Sequence, residues 1–150
     1  MIEFWSDIMK KTVSLIVCVL LVIGLCACSG KSIKEDIFNI VEENVDILIE
    51  AINTGDYGYV SEIKGITDIT VNDDYIVFYC RGQGIAPSSQ EYGFYYSIEN
   101  QPVAIFDGKP VCKPENMTVK DGGYEYIDSS HNLFYTENIV NHFYYYDNNL

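Results

Sequence analysis

Apolar and polar positions follow three successive rhythms along this chain, and each predicts a different kind of element. The first is a continuous apolar run over residues 13–25, interrupted only by Ser14 and Gly24. It is shorter than the roughly 20 residues that a membrane-spanning helix requires. The second is helical. Ile33, Ile37, Ile40, Val41, Leu48 and Ala51 recur at spacings of three and four, while Glu42, Glu43, Asp46 and Glu50 fill the opposite side. Val45, Ile49 and Ile52 widen the apolar stripe, which predicts packing on a broad surface rather than on one narrow seam. Ser32-Ile33-Lys34-Glu35 has the form of a capping box, in which the Ser hydroxyl and the Glu carboxylate each satisfy a backbone N–H. Asn53-Thr54-Gly55 ends the helix, because glycine enters the left-handed region without steric penalty.

The third rhythm is that of strands. From Ile63 onward, short β-branched or aromatic runs are separated by turn residues, as in an antiparallel meander. Residues 63–71 alternate loosely, and Asn72-Asp73-Asp74 turns into the run 75–80. That run is apolar on both faces and predicts a strand covered on both sides. Residues 81–90, rich in Gly, Pro and Ser, read as a loop. Residues 91–98 read as a strand with Tyr92, Phe94, Tyr96 and Ile98 on one face and Gly93, Tyr95 and Ser97 on the other, Gly93 leaving room for a neighbouring ring. Asp107-Gly108 and Asp121-Gly122 are hairpin turn signals. Runs at 103–106, 124–127, 133–136 and 143–146 complete the set. The last also fits one helical face through Ile139, His142, Phe143 and Tyr146, but its aromatic content favours a strand. The expectation is an α+β fold: one long N-terminal helix packed on an antiparallel, aromatic-rich sheet of about five to seven short strands. Residues 32–150 form its single domain.

Charge narrows the partners. The formal net charge is −13, and the first 27 residues contribute nothing to it, since Glu3 and Asp7 offset Lys10 and Lys11. The remaining basic residues are few and scattered from Lys31 to Lys120, so there is no face on which they could replace counterions around phosphates. Nucleic acid is rejected as a partner. An anionic lipid surface would also repel this domain, so any membrane attachment must come from something other than a basic patch.

Met9-Lys10-Lys11, the apolar run and the small residues at its end have the three parts of an export signal. Leu25-Cys26-Ala27-Cys28 resembles the lipobox of bacterial lipoproteins, with Cys26 an uncommon occupant of the second position. The resemblance implies cleavage before Cys28, a diacylglyceryl group on its sulfur, and an exported protein held at the outer face of the bacterial cytoplasmic membrane. Two acyl chains anchor stably, at about 0.8 kcal/mol per buried methylene. Residues 1–27 are then the signal peptide and 28–31 a lipidated tether, short enough to hold the helix start close to the bilayer. Glu3 and Asp7 precede the positive segment, which favours Met9 as the start of translation. The aromatic stretch 75–104, with Tyr135-Thr136-Glu137 and Phe143-Tyr144-Tyr145-Tyr146, is similar to small uncharacterised exported lipoproteins of clostridia-type bacteria. That likeness implies a helix-plus-sheet domain and no particular chemistry.

Candidate chemistry is sparse. Cys80 and Cys112 remain after Cys18 and Cys26 leave and Cys28 is modified; they are a possible disulfide in an oxidising compartment, and no Cys-x-x-Cys spacing is present. His131 and His142, with Asp128 and Glu137 nearby, lack metal-ligand spacing and read as ordinary surface or edge residues. Gly82-Gln83-Gly84 begins as a phosphate loop does, but Pro87 replaces the third glycine. The acid-rich stretch 68–74 has Tyr79 where a calcium loop requires its bidentate Glu. No metal or cofactor is implied and no catalytic residue is assigned. Glu125 and Asp128 could serve glycoside hydrolysis only at a defined separation across a cleft.

Tyrosine resists the plain reading. All 13 tyrosines lie downstream of Cys28, and each combines an apolar ring with a hydroxyl that needs a partner, which suits surfaces that bind sugars, peptides or proteins. Tyr57, Tyr59, Tyr95, Tyr144 and Tyr145 are the expected exposed binding rings. Sheet propensity alone also explains many tyrosines. The functional expectation is a lipid-anchored cell-surface domain that binds an exported protein, peptide or glycan. A cell-wall or glycan hydrolase using carboxylates is the alternative.

Overall fold

The computed structural model describes residues 32–85 and 88–150. The expected signal peptide and tether, Cys28 and the choice between Met1 and Met9 lie outside the described residues. The helix α1 spans Ile33–Thr54 and begins as its sequence dictates: Ser32 Oγ accepts from Glu35 N, and Glu35 Oε2 accepts from Ser32 N. It ends at Gly55, with φ of 72°. Ile37, Val41, Leu48 and Ala51 are buried, with Ile33, Ile40, Val45, Ile49 and Ile52 packed beside them, while Glu42, Glu43, Asp46 and Glu50 are exposed. Fully burying a large aliphatic side chain stabilises by roughly 1.5–3 kcal/mol, so this stripe is what holds the helix to the sheet. Among the described residues, no helix is long and apolar enough to cross a membrane, which says nothing of strands.

The sheet has seven strands: β1 Asp68–Val71, β2 Tyr75–Ile85, β3 Ser88–Ser97, β6 Thr118–Lys120, β7 Gly123–Ile127, β8 Leu133–Val140 and β9 Phe143–Asn149. Their spatial order is β1-β2-β3-β9-β8-β7-β6, with every neighbouring pair antiparallel. Two meanders, β1–β3 and β6–β9, are thus joined where β9 pairs with β3. Between them in sequence lies a separate hairpin of β4 Ala104–Phe106 and β5 Lys109–Cys112. Its turn, Asp107-Gly108, has both φ angles positive, as has Asp121-Gly122 between β6 and β7, which is the conformation that these dipeptides favour.

Three segments differ from expectation. Residues 81–85 and 88–90, expected as part of a loop over 81–90, are strand: β2 runs on through Arg81 and pairs with β3 to Ile85↔Ser88, after a bulge between Tyr79 and Arg81. The two glycines weaken strand propensity locally, but the ladder with Ser89, Gln90 and Glu91 outweighs that preference. The phosphate-loop resemblance therefore falls on extended strand. In 63–71 only Asp68–Val71 pairs; residues 60–66 form a 3₁₀ turn and a bend. The final aromatic run is strand and not helix, because it fills the gap between β3 and β8.

Side chains alternate between two layers. Ile76, Phe78, Cys80, Phe94, Phe143 and Tyr145 face the helix, whereas Val77, Tyr95, Phe134, Tyr144 and Tyr146 face the β4–β5 hairpin with Ala104, Ile105 and Cys112. Gly93 does leave room for a ring: a Cβ there would stand 2.8 Å from Tyr146 Cε1, and 2.2 Å from the carbonyl of Phe78.

Candidate functional site

The outer face of the sheet is only partly covered by the β4–β5 hairpin, and the uncovered part is an open groove of about 720 Å³. Its floor carries Tyr75 at the start of β2 and Tyr126 on β7. One wall is the segment from Glu99 to Val103, and the other is Pro110 to Asn116. That size lies within the usual range for ligand pockets.

Buried tyrosines hold the first wall in place. Tyr95 and Tyr144 stack at 5.3 Å, nearly parallel, beneath it. Tyr144 donates its hydroxyl proton to the Asn100 carbonyl at 3.0 Å. Tyr95 Oη accepts from Val103 N at 2.9 Å and lies 3.0 Å from Thr136 Oγ1. The Thr136 hydroxyl spends its single proton on the Tyr145 carbonyl, so Tyr95 donates to Thr136 and the chain has one direction. Burial raises the pKa of Tyr95 further above its ordinary value, which keeps the hydroxyl protonated as a donor. The second wall is tied at the hairpin tip, where Asn72 Nδ2 donates to the Gly108 carbonyl at 3.1 Å.

Of the five rings expected at the surface, three are therefore corrected: Tyr95, Tyr144 and Tyr145 are buried. Their strands, β3 and β9, lie at the centre of the sheet with the helix on one side and the hairpin on the other, so parity along the strand cannot expose them. Tyr59 is 76% exposed, but lies apart from the groove. Tyr57 is half-buried beside a smaller depression of about 370 Å³ with Ser61, Ile66 and Asp68. Tyr75 and Tyr126, which do line the groove, were not singled out by the sequence. The available signal was parity, since Tyr75 shares the Val77 face of β2, but parity does not reveal which part of a face is left uncovered.

The disulfide expectation is also corrected. Cys80 and Cys112 are both free, Cys80 in the helix-side layer and Cys112 in the hairpin-side layer, with the sheet between them. Burial pushes the Cys80 thiol up to about 12. Burial and then the Glu115 carboxylate raise that of Cys112, so the thiol beside the groove is a poor nucleophile.

The remaining titratable groups are dispersed. His131 sits in a turn at φ of 69°, whereas His142 stacks on Tyr96 and its Nδ1 lies 2.8 Å from the Ser97 carbonyl. Among the described residues no three His, Cys, Asp or Glu side chains converge on a metal position. Glu125 pairs with Lys120 on the edge hairpin. Asp128 closes a turn: desolvation, the largest single influence on its carboxyl, is outweighed by the hydrogen bonds from Asn132 and Ser130 together with the nearby His131, which lower its pKa. A general acid needs the opposite shift. The carboxyls that burial raises are Glu91, with Asp107 adding to it, and Asp147. They occupy opposite parities of paired strands, because Glu91 is opposite Asn148 and Tyr92 opposite Asp147, so the sheet separates them. Neither belongs to the groove.

No family model, curated protein or solved structure matches this chain.

Proposed function

We propose that this chain is a lipid-anchored binding domain of the bacterial cell surface, tethered through Cys28 and presenting the outer-face groove to an exported ligand. The observation that carries the binding half is the groove itself. It is a concave, solvent-open site of about 720 Å³ whose wall is fixed from beneath by Tyr95 and Tyr144. A wall held by buried hydroxyls is pre-organised, so little ordering entropy is lost when a ligand enters. The anchoring half rests on the lipobox resemblance at Leu25-Cys26-Ala27-Cys28 and on the capping box that opens the helix at Ser32, only a few residues further on.

Two measurements test the halves separately. Cys28→Ala is expected to move the protein from the membrane fraction to a soluble one and to abolish incorporation of a labelled fatty acid. Membrane retention of that variant would overturn the anchor. A photo-crosslinking residue at Val111, on the groove rim, is expected to capture a surface ligand on intact cells, whereas the same residue at exposed Glu42 on the helix is not. Equal capture at both positions, or none at Val111, would overturn the binding site.

A further inference from the structure

We infer that the groove accepts a cationic, Arg- or Lys-bearing segment of an exported protein; this rests on the binding role just proposed. The argument is an imbalance of charge in the lining, together with backbone N–H groups there that are absent or already spent. Three exposed acidic residues line the site, Asp74, Glu99 and Glu115, against one basic residue, Lys113. Their field is felt inside it: Asp74 contributes to the raised pKa of Tyr75, after desolvation, and Glu115 does so for Cys112.

Backbone donors are missing at the same place, and this is independent of the carboxylates. Pro102, Pro110 and Pro114 in the lining carry no N–H. The N–H groups of Ser97, Gln101, Val103 and Asn116 are already spent on His142 O, Ser97 Oγ, Tyr95 Oη and Lys113 O. An anionic ligand would find its donors only on side chains such as Lys113, Gln101 and Asn116 and would have the three carboxylates against it, whereas a guanidinium or ammonium brings only donors and is matched by those carboxylates. The rings of Tyr75 and Tyr126 add a surface on which a cation can rest, a geometry taken more often by Arg than by Lys. Proline in β5 also argues against a ligand that adds a strand to the hairpin, so recognition falls to side chains.

The source of the cation follows from charge and shape. A net charge of −13 draws cationic segments toward the domain and repels a second copy of this chain. Apolar Ile98 and Val111, each about half exposed, stand at and beside the rim, where a polypeptide can cover them and a bare polyamine cannot.

The test uses the full chain in detergent micelles and short fluorescent Gly/Ser peptides bearing Arg, Lys, citrulline or Glu, followed by anisotropy at low and at physiological salt. Arg and Lys peptides are expected to bind, Arg the tighter, and the citrulline and Glu peptides are not. The combined variant D74N/E99Q/E115Q is expected to weaken the Arg peptide by about tenfold or more. All three side chains are exposed and the changes are nearly isosteric, so an unaltered unfolding midpoint checks the fold. The variant E42Q/E43Q/E50Q removes as much charge from the helix and is expected to keep the affinity. Equal weakening by both variants, or citrulline binding as well as Arg, would overturn the cationic inference. So would spermine binding as tightly as the Arg peptide. Crosslinking at Val111 that persists in D74N/E99Q/E115Q would overturn the charge argument and leave the groove standing; loss of all crosslinking in the parent removes both.

Discussion

The two faces of the sheet are covered by different materials, and the difference separates stability from recognition. The helix face is closed by hydrocarbon: Ile37, Val41 and Leu48 meet Phe78, Phe94 and Phe143, with Phe78 and Phe94 stacked at 4.6 Å. A polar cluster stands on it at the start of the helix. There Lys34 Nζ lies 2.6 Å from Glu137 Oε2 and 5.6–5.8 Å from the ring centroids of Phe38, Tyr135 and Tyr145, while the Tyr135 hydroxyl donates to the same carboxylate. The outer face includes two tyrosines, Tyr95 and Tyr144, whose hydroxyls are engaged by backbone, and the β4–β5 hairpin covers only part of it. A face sealed by apolar packing gains most of its energy from excluding water and offers no opening. A face held by directed hydrogen bonds can support a wall over open space.

The largest expected effect falls on the sealed face. Phe94→Ala removes a fully buried ring from between Phe78 and Phe143 and is expected to cost about 3–5 kcal/mol, read as a lowered urea midpoint. A cost below that of a half-exposed residue would show that the helix face is not the main source of stability.

The second effect tests the outer face. Tyr95→Phe keeps the ring but leaves Val103 N–H without an acceptor and takes from Thr136 Oγ1 the proton it accepts, while the Thr136 bond to the Tyr145 carbonyl stays, at about 1–3 kcal/mol. Hydrogen exchange at Val103 is expected to accelerate and binding in the groove to weaken, with helix amides unchanged. Faster exchange spread over the whole sheet would mean that the hydroxyl supports the core generally and not the wall.

Third, Lys34→Ala is expected to cost about 1 kcal/mol, since the ammonium is partly exposed and the pair is open to screening. The loss is expected to be localised to the first turn of the helix by exchange, with groove affinity unaltered.

The smallest effect concerns Asp147, whose Oδ1 is buried without a hydrogen-bond partner in the described structure. Burial raises its pKa above the ordinary 3.8, so the folded chain binds this proton more tightly than the unfolded chain does. Its contribution to stability is full below the unfolded pKa and declines as pH rises through the folded one. Asp147→Asn is therefore expected to be more stable than the parent at neutral pH, by about 1 kcal/mol or less, and to lose that advantage below pH 3.8. Paired urea curves at the two pH values read the sign.

What the sequence by itself determined is local. Ser32 and Glu35 set the helix start, Gly55 its end, and the spacing of Ile37, Val41 and Leu48 its buried side. Asp107-Gly108 and Asp121-Gly122 placed two hairpins, and alternation along residues 92–97 assigned each side chain to a face. These features depend on atoms a few residues apart, so composition and spacing reveal them. Only the tertiary structure decided that β9 lies between β3 and β8, a pairing across about 50 residues that no local rule specifies. That pairing buried Tyr144 and Tyr145, while the β2–β3 ladder took in residues 81–85 and 88–90 and the layering of helix and hairpin put the sheet between Cys80 and Cys112. It also decided where the hairpin stops covering the outer face, and hence that Tyr75 and Tyr126, not the stacked pair beneath the wall, line the groove. Exposure is a property of what packs above a residue, and that partner arrives from elsewhere in the chain.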